Sequence, residues 1–230
     1  IGFDPKRTVL GSEGRLGIIT QAVVKLFPLP EAQRFGSILF PEFGSGVAFL
    51  YEMQRTQTLP ASVRLVDNLQ FKFGQALKPA SPGGLSAMKS KVEKLVVTKV
   101  KGFDPDQMVA CTLVFEGTEE EVERQEAAVY ELAKRHGGMP AGGANGARGY
   151  QLTFGIAYIR DFVMNHFVLA ESFETSVPWS EALTLCENVK QRLYDEHAAR
   201  NLPGLPFVTC RVTQLYDTGV AVYFYFAYHH

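Results

Sequence analysis

Beyond residue 31 the sequence repeats one arrangement: a short apolar strand, a small-residue or acidic start, then an amphipathic helix. A strand with one face to bury and a helix with one stripe to bury are satisfied together when helices lie on a sheet. The arrangement is read as strand 36–40 and a helix near 43–56, answered by strand 61–66. It returns as MVACTLVFEG, 108–117, with a helix near 118–136, and again as strand 168–175 with a helix opened by Pro178. In the second helix Thr118 and Glu121 have capping-box spacing, Val122, Val129, Leu132 and Ala133 share a face, and Gly137 ends it. In the third, Trp179, Ala182, Leu183, Cys186, Val189 and Leu193 form the stripe to be buried. Strands 206–214 and 219–228 flank Asp217-Thr218-Gly219 and pair as a hairpin. The expected class is α+β, an antiparallel sheet with helices packed on one face. No sequence period is shared, so the repeats are structural.

The rest of the chain is less regular. Residues 17–27, GIITQAVVKLF, alternate partly and end at Pro28, which suits a strand. Pro28, Pro30 and Glu31 then mark a linker, since proline donates no backbone hydrogen bond and disfavours helix before it. The run 138–149, GMPAGGANGARG, is too rich in glycine to be regular and reads as a mobile surface loop. The chain opens at Ile1 close to a crowded glycine turn, and its last strand stops at His229 and His230, so both ends read as cuts in a longer protein.

Bulk properties exclude several classes. At 230 residues and 46% hydrophobic, the chain can bury a substantial core. A net charge of −1 offers no basic face for nucleic acid. No apolar run approaches the roughly 20 residues of a membrane-spanning helix, and no secretory signal or transit peptide is recognisable. Cys111, Cys186 and Cys210 form no C-x-x-C and read as buried thiols in a reducing compartment. His136, His166, His197, His229 and His230 have no metal-ligand spacing, and His136 and His197 are read on solvated helix segments.

Four places could carry chemistry. Gly11-Ser12-Glu13-Gly14-Arg15-Leu16-Gly17-Ile18-Ile19 packs three glycines into seven residues, which lets backbone amides approach an anion or a flat ring. Glu13 argues against a phosphate cradle, and the spacing fits neither G-x-G-x-x-G nor a P-loop, so a tight structural turn is an equal reading. Arg64 sits mid-strand between Val63 and Leu65, where a carboxylate partner is the ordinary solution. Arg160 in YIRDF is either a local ion pair with Asp161 or a fork for a phosphate monoester. Tyr223 shares a strand face with Tyr225, while Phe224 and Phe226 take the other; sheet packing is the plain reading, proton transfer the sharper one.

GSEGRLGIIT resembles the signature in the second half of the flavin domain of the vanillyl-alcohol-oxidase superfamily. Longer blocks are similar to the alkyldihydroxyacetonephosphate synthases: PASVRLVDNLQFKFGQALKP (60–79), KGFDPDQ (101–107), YIRDF (158–162), ESFETSVPW (171–179) and TCRVTQLYDTGVAVYFYFAY (209–228). The resemblance implies an FAD enzyme that replaces the acyl group of acyl-dihydroxyacetone phosphate with a long-chain fatty alcohol, without net redox change. It implies residues 1–30 as the end of an FAD-binding domain and 31–230 as a cap or substrate domain. It places Glu13, Gly14, Arg15, Leu16, Gly17, Ile18 and Ile19 against FAD, Arg64 and Tyr223 in catalysis with Tyr225 as rival, and Arg160 on substrate. No metal is implied. A homodimer, peripheral membrane contact and a peroxisome or glycosome follow from the family. Its active-site histidine cluster lies beyond Tyr223 and cannot be equated with His229-His230, so this piece alone is expected to be inactive. The alternative is an FAD-linked dehydrogenase of a 2-hydroxy acid such as D-lactate or glycolate, which shares the GSEG turn; the G-D-G-N-x-H motif of that branch is not found here.

Overall fold

A computed structural model describes residues 2–77 and 102–230. The end of the 60–79 block, Lys101 and Ile1 lie outside the described residues. The strands are β1 Ala32–Phe40, β2 Ser62–Val66, β3 Val109–Gly117, β4 Met139–Pro140, β5 Val168–Pro178, β6 Phe207–Leu215 and β7 Gly219–His229. The helices are α1 Pro5–Val9, α2 Phe43–Arg55, α3 Asn68–Ala76, α4 Glu119–Arg135, α5 Gly143–Met164 and α6 Ala182–Ala199. All seven strands form one sheet in the order β4-β1-β3-β2-β6-β7-β5, antiparallel at each join. The first four strands with α2 and α4 make a split βαββαβ unit, and β5 to β7 extend the sheet beyond β2.

Period-two alternation divides the sheet into two faces. Ile38, Phe40, Leu65, Cys111, Leu113, Phe115, Val212 and Phe224 point to one face and are at most 1% exposed. They pack against α2, α4 and α6 through Phe49, Leu50, Met53, Val122, Val129, Leu132 and Cys186. Each large side chain so buried contributes roughly 1.5–3 kcal/mol. Close approach sets local choices: a Cβ on Gly46 of α2 would stand 2.6 Å from Leu65 Cδ1. The capping box at the start of α4 is formed, with Thr118 and Glu121 each bonding the other's backbone N–H, and Gly137 ends the helix at φ +74°. The 207–215 and 219–229 hairpin forms as expected, and the three cysteines are buried free thiols.

The structure departs from the sequence reading at four points. Residues 18–30 form no strand; they are almost wholly exposed and pair with no strand among the described residues, and alternation without a ladder partner does not make a sheet. The glycine-rich run is ordered, because α5 starts at Gly143. Its glycines at every third position make a bare helix side that lies directly on the second sheet face. A Cβ on Gly146 would stand 2.2 Å from the Gly36 carbonyl oxygen, and one on Gly149 2.6 Å from Thr112 Cγ2. So α2, α4 and α6 share one face, and α5 covers β1 and β3 on the other. The two helix histidines are not solvated: His197 continues the inner stripe of α6 and is buried, and His136 packs half-buried with Nε2 2.7 Å from Glu52. Finally, Leu183 lies at the margin of the α6 stripe, 40% exposed.

Candidate active site

The second sheet face is polar where it passes out from under the glycine side of α5. Arg64 of β2 opposes Thr112 there, with its Cζ 5.5 Å from the Tyr150 ring of α5. Asp67, the nearest carboxylate in sequence, is not its partner. It caps α3 through Gln70 N at 2.9 Å, accepts the Cys210 amide at 3.0 Å and pairs with Lys190 at 2.9 Å. Burial, and after it the charge of Arg211, hold the Arg64 guanidinium below its ordinary pKa.

Two strands further, Tyr223 of β7 opposes Arg211 of β6. The Arg211 Cζ lies 5.1 Å from the Tyr223 ring and 5.0 Å from the Tyr225 ring, and the two rings are 4.7 Å apart. The Tyr223 hydroxyl is 2.9 Å from Ser172 Oγ of β5. Burial raises the Tyr225 phenol, and Arg211 opposes that rise. Glu174 of β5 accepts a hydrogen bond from Thr213. These groups open onto a cleft of about 390 Å³ whose walls include Arg64, Arg211, Tyr223, Glu174 and Thr213, with Gln54 and the 59–62 turn at its rim.

The structure therefore brings Arg64 and Tyr223 together, with Tyr225 on the same face. It does not bring Arg160 into the cleft wall: that side chain is 58% exposed on α5 and lies 3.5 Å from Asp161, the local ion pair of the plain reading. The turn that begins at Gly11 also stands apart. Glu13, Gly14, Gly17, Ile18 and Ile19 line a separate hollow of about 340 Å³ made by residues of the 9–19 segment itself, and Arg15 and Leu16 are exposed beside it. Glu13 and Gly14 have left-handed φ of 51° and 76°. A Cβ on Gly14 or Gly17 would meet nothing within 4 Å, so packing among the described residues does not call for glycine at either position.

Arg211, Ser172 and Glu174 were not read from the sequence. The signal was the β-branched setting of Arg211 in TCRVTQ, similar to that of Arg64, but counting back from the hairpin turn misplaces it. Leu215 pairs Val220, whereas a register shift at Val212/Gln214 is needed to set Arg211 opposite Tyr223 rather than Phe224. This bulge moves the guanidinium from the buried face to the polar one.

Among the described residues no cluster of His, Cys, Asp and Glu could hold a metal ion, and no helix is long and apolar enough to cross a membrane. The family described as FAD linked oxidases, C-terminal domain, matches residues 29–229. The alkyldihydroxyacetonephosphate synthase of Caenorhabditis elegans is 49% identical over 227 residues, which is 99% of this chain and 38% of that protein. A solved alkyldihydroxyacetonephosphate synthase superposes with a TM-score of 0.83 at 28% identity, covering 99% of this chain and 41% of that one. A glycolate oxidase subunit of Bacillus subtilis is 33% identical over 66 residues, 29% of this chain and 14% of that protein. The chain thus spans well under half of the synthases it matches from end to end, and it belongs to the family of FAD-linked oxidase C-terminal domains.

Proposed function

We propose that the chain is part of a flavin-dependent ether-lipid enzyme, an alkylglycerone-phosphate synthase, that exchanges the acyl group of acyl-dihydroxyacetone phosphate for a long-chain fatty alcohol to give alkyl-dihydroxyacetone phosphate without net redox change. The observation that carries this reading is the meeting of Arg64 and Tyr223, from strands distant in sequence, in one open cleft. Similarity to a synthase over 99% of the chain, against 29% for the glycolate oxidase subunit, favours it over oxidation of a 2-hydroxy acid.

FAD is the cofactor of this family, and the residues present fit part of it. The turn 11–17 offers backbone at left-handed φ with open space above Gly14 and Gly17, and the cleft offers cations beside aromatic rings. In this proposal residues 1–30 end the FAD-binding domain, with Glu13 to Ile19 along the flavin, and residues 31–230 form the cap. When bound, the flavin supplies the reactive centre for the exchange at the substrate carbon.

Tyr223 takes and returns the proton beside the substrate carbonyl, and Ser172, 2.9 Å from its hydroxyl, fixes that oxygen and offers the proton a second site. Arg64, stacked on Tyr150, presents a held positive charge to the oxygen that gains electrons. Arg160 is proposed to reach substrate from outside the cleft wall. A homodimer, peripheral membrane contact and a peroxisomal or glycosomal setting belong to the same proposal. The test is incorporation of labelled fatty alcohol into acyl-dihydroxyacetone phosphate by the full-length, flavin-loaded parent. Rapid flavin reduction by D-lactate, with no incorporation, would sink it.

A further inference from the structure

We infer that Arg211, its guanidinium set against the neighbouring rings of Tyr223 and Tyr225, anchors the phosphate monoester of the substrate. The inference rests on the function proposed above and adds a residue and a ligand group to that site. Arg211 lies in the wall of the same cleft as Arg64 and Tyr223. Among the described residues no carboxylate oxygen comes within 4.0 Å of it, whereas Arg34, Arg135, Arg192 and Arg200 each have one. The remaining acid of the cleft wall, Glu174, is held by Thr213.

Stacking explains how the cation is held without an ion pair. The two rings, 4.7 Å from each other, lie to one side of the guanidinium at 5.1 and 5.0 Å from its Cζ and leave its other N–H groups for acceptors. The Tyr225 hydroxyl meets one edge. Among the described residues the buried Nε of Arg211 has no hydrogen-bond partner. A buried donor left unmade costs on the order of 1–3 kcal/mol, and a ligand oxygen offsets it through the part of the guanidinium that faces the cleft. Arg211 and Arg64 also repel each other across the cleft, which lowers the proton affinity of Arg64. An anion beside Arg211 relieves this repulsion, and a phosphate monoester, with two negative charges and three equivalent oxygens, can take two parallel bonds from one guanidinium. Arg160 already has Asp161 beside it and stands outside this wall.

The test uses the full-length, flavin-loaded parent and calorimetric titration with glycerol 3-phosphate, with glycerol as control. Arg211→Met should weaken the phosphate ester by about 10- to 100-fold, the loss of one or two charge-assisted bonds. Arg211→Lys, which keeps the charge and loses the fork, should fall between. Flavin absorbance and melting temperature establish that each variant is folded, and if Arg211→Met does not fold, Arg211→Lys alone decides by the same criterion. Retained exchange activity in the wild type together with unchanged affinity in the folded variants overturns the subsite and leaves the function standing. So does a loss that follows Arg160→Ala and not Arg211. A wild type that binds D-lactate and ignores glycerol 3-phosphate overturns the function, and the subsite with it.

Discussion

The two faces of the sheet are made by the same strands, often by adjacent residues, and they do opposite work. On one face Phe224, Leu65, Cys111 and Val212 are sealed under α2, α4 and α6. On the other, one residue along each strand, Tyr223, Arg64 and Arg211 meet in an open cleft. Stability and chemistry are therefore separated by the pleat alone, and the chain can change one face with little cost to the other. The second face is not uniform either: α5 covers it at β1 and β3 through bare glycine backbone, and the cleft opens beside the uncovered part.

Adjacent substitutions on β7 break this comparison most sharply. Phe224→Ala removes a fully buried ring and should cost about 3–5 kcal/mol of unfolding free energy. Tyr223→Phe, its neighbour, loses one half-buried hydrogen bond to Ser172 and should cost about 1 kcal/mol or less. Urea unfolding followed by circular dichroism reads both, and equal losses would contradict the division of faces.

Next in size is alkaline sensitivity on the buried face. Burial pushes the Cys111 thiol up to about 12 from its ordinary 9.0. The folded pKa is the higher one, so the contribution is complete below pH 9, where both states are protonated. It is lost between pH 9 and 12, as the unfolded chain ionises and the folded one does not, at on the order of 1.4 kcal/mol per pH unit. Cys111→Ala should flatten this limb in urea midpoints taken from pH 8 upward.

Gly146→Ala tests the covered part of the second face. A methyl 2.2 Å from the Gly36 carbonyl must lift α5 and should cost about 1–3 kcal/mol. A small effect belongs to the exposed end of a helix on the buried face: Thr118→Ala, which removes the cap of α4, should cost about 1 kcal/mol in the same unfolding assay.

Much of this was legible in the sequence because period and capping are local. Thr118, Glu121 and Gly137 mark α4, and the Val122–Ala133 stripe marks its buried side. The 217–219 turn marks the hairpin, and alternation puts Tyr223 with Tyr225. What failed depended on partners remote in sequence. Nothing local says that Gly143, Gly146 and Gly149 have Gly36 and Thr112 beneath them, which turns a loop composition into a helix. Residues 17–27 alternate, but a strand needs a neighbouring edge. Arg211 was hidden by a single bulge, and His197 by lying on a stripe whose outer positions are polar. That Arg160 stands exposed on α5 beside Asp161, and not in the cleft wall, is likewise tertiary.

The central claim is that the uncovered polar face performs the chemistry and contributes little to the fold. Its most direct test is Tyr223→Phe in the full-length, flavin-loaded parent, assayed for exchange of labelled fatty alcohol into acyl-dihydroxyacetone phosphate. The account predicts a fall of about 10²- to 10⁴-fold in turnover, with flavin absorbance unchanged and the melting temperature lowered by no more than about 4 °C. Turnover at the wild-type rate, or loss of activity only in step with loss of fold, would contradict it.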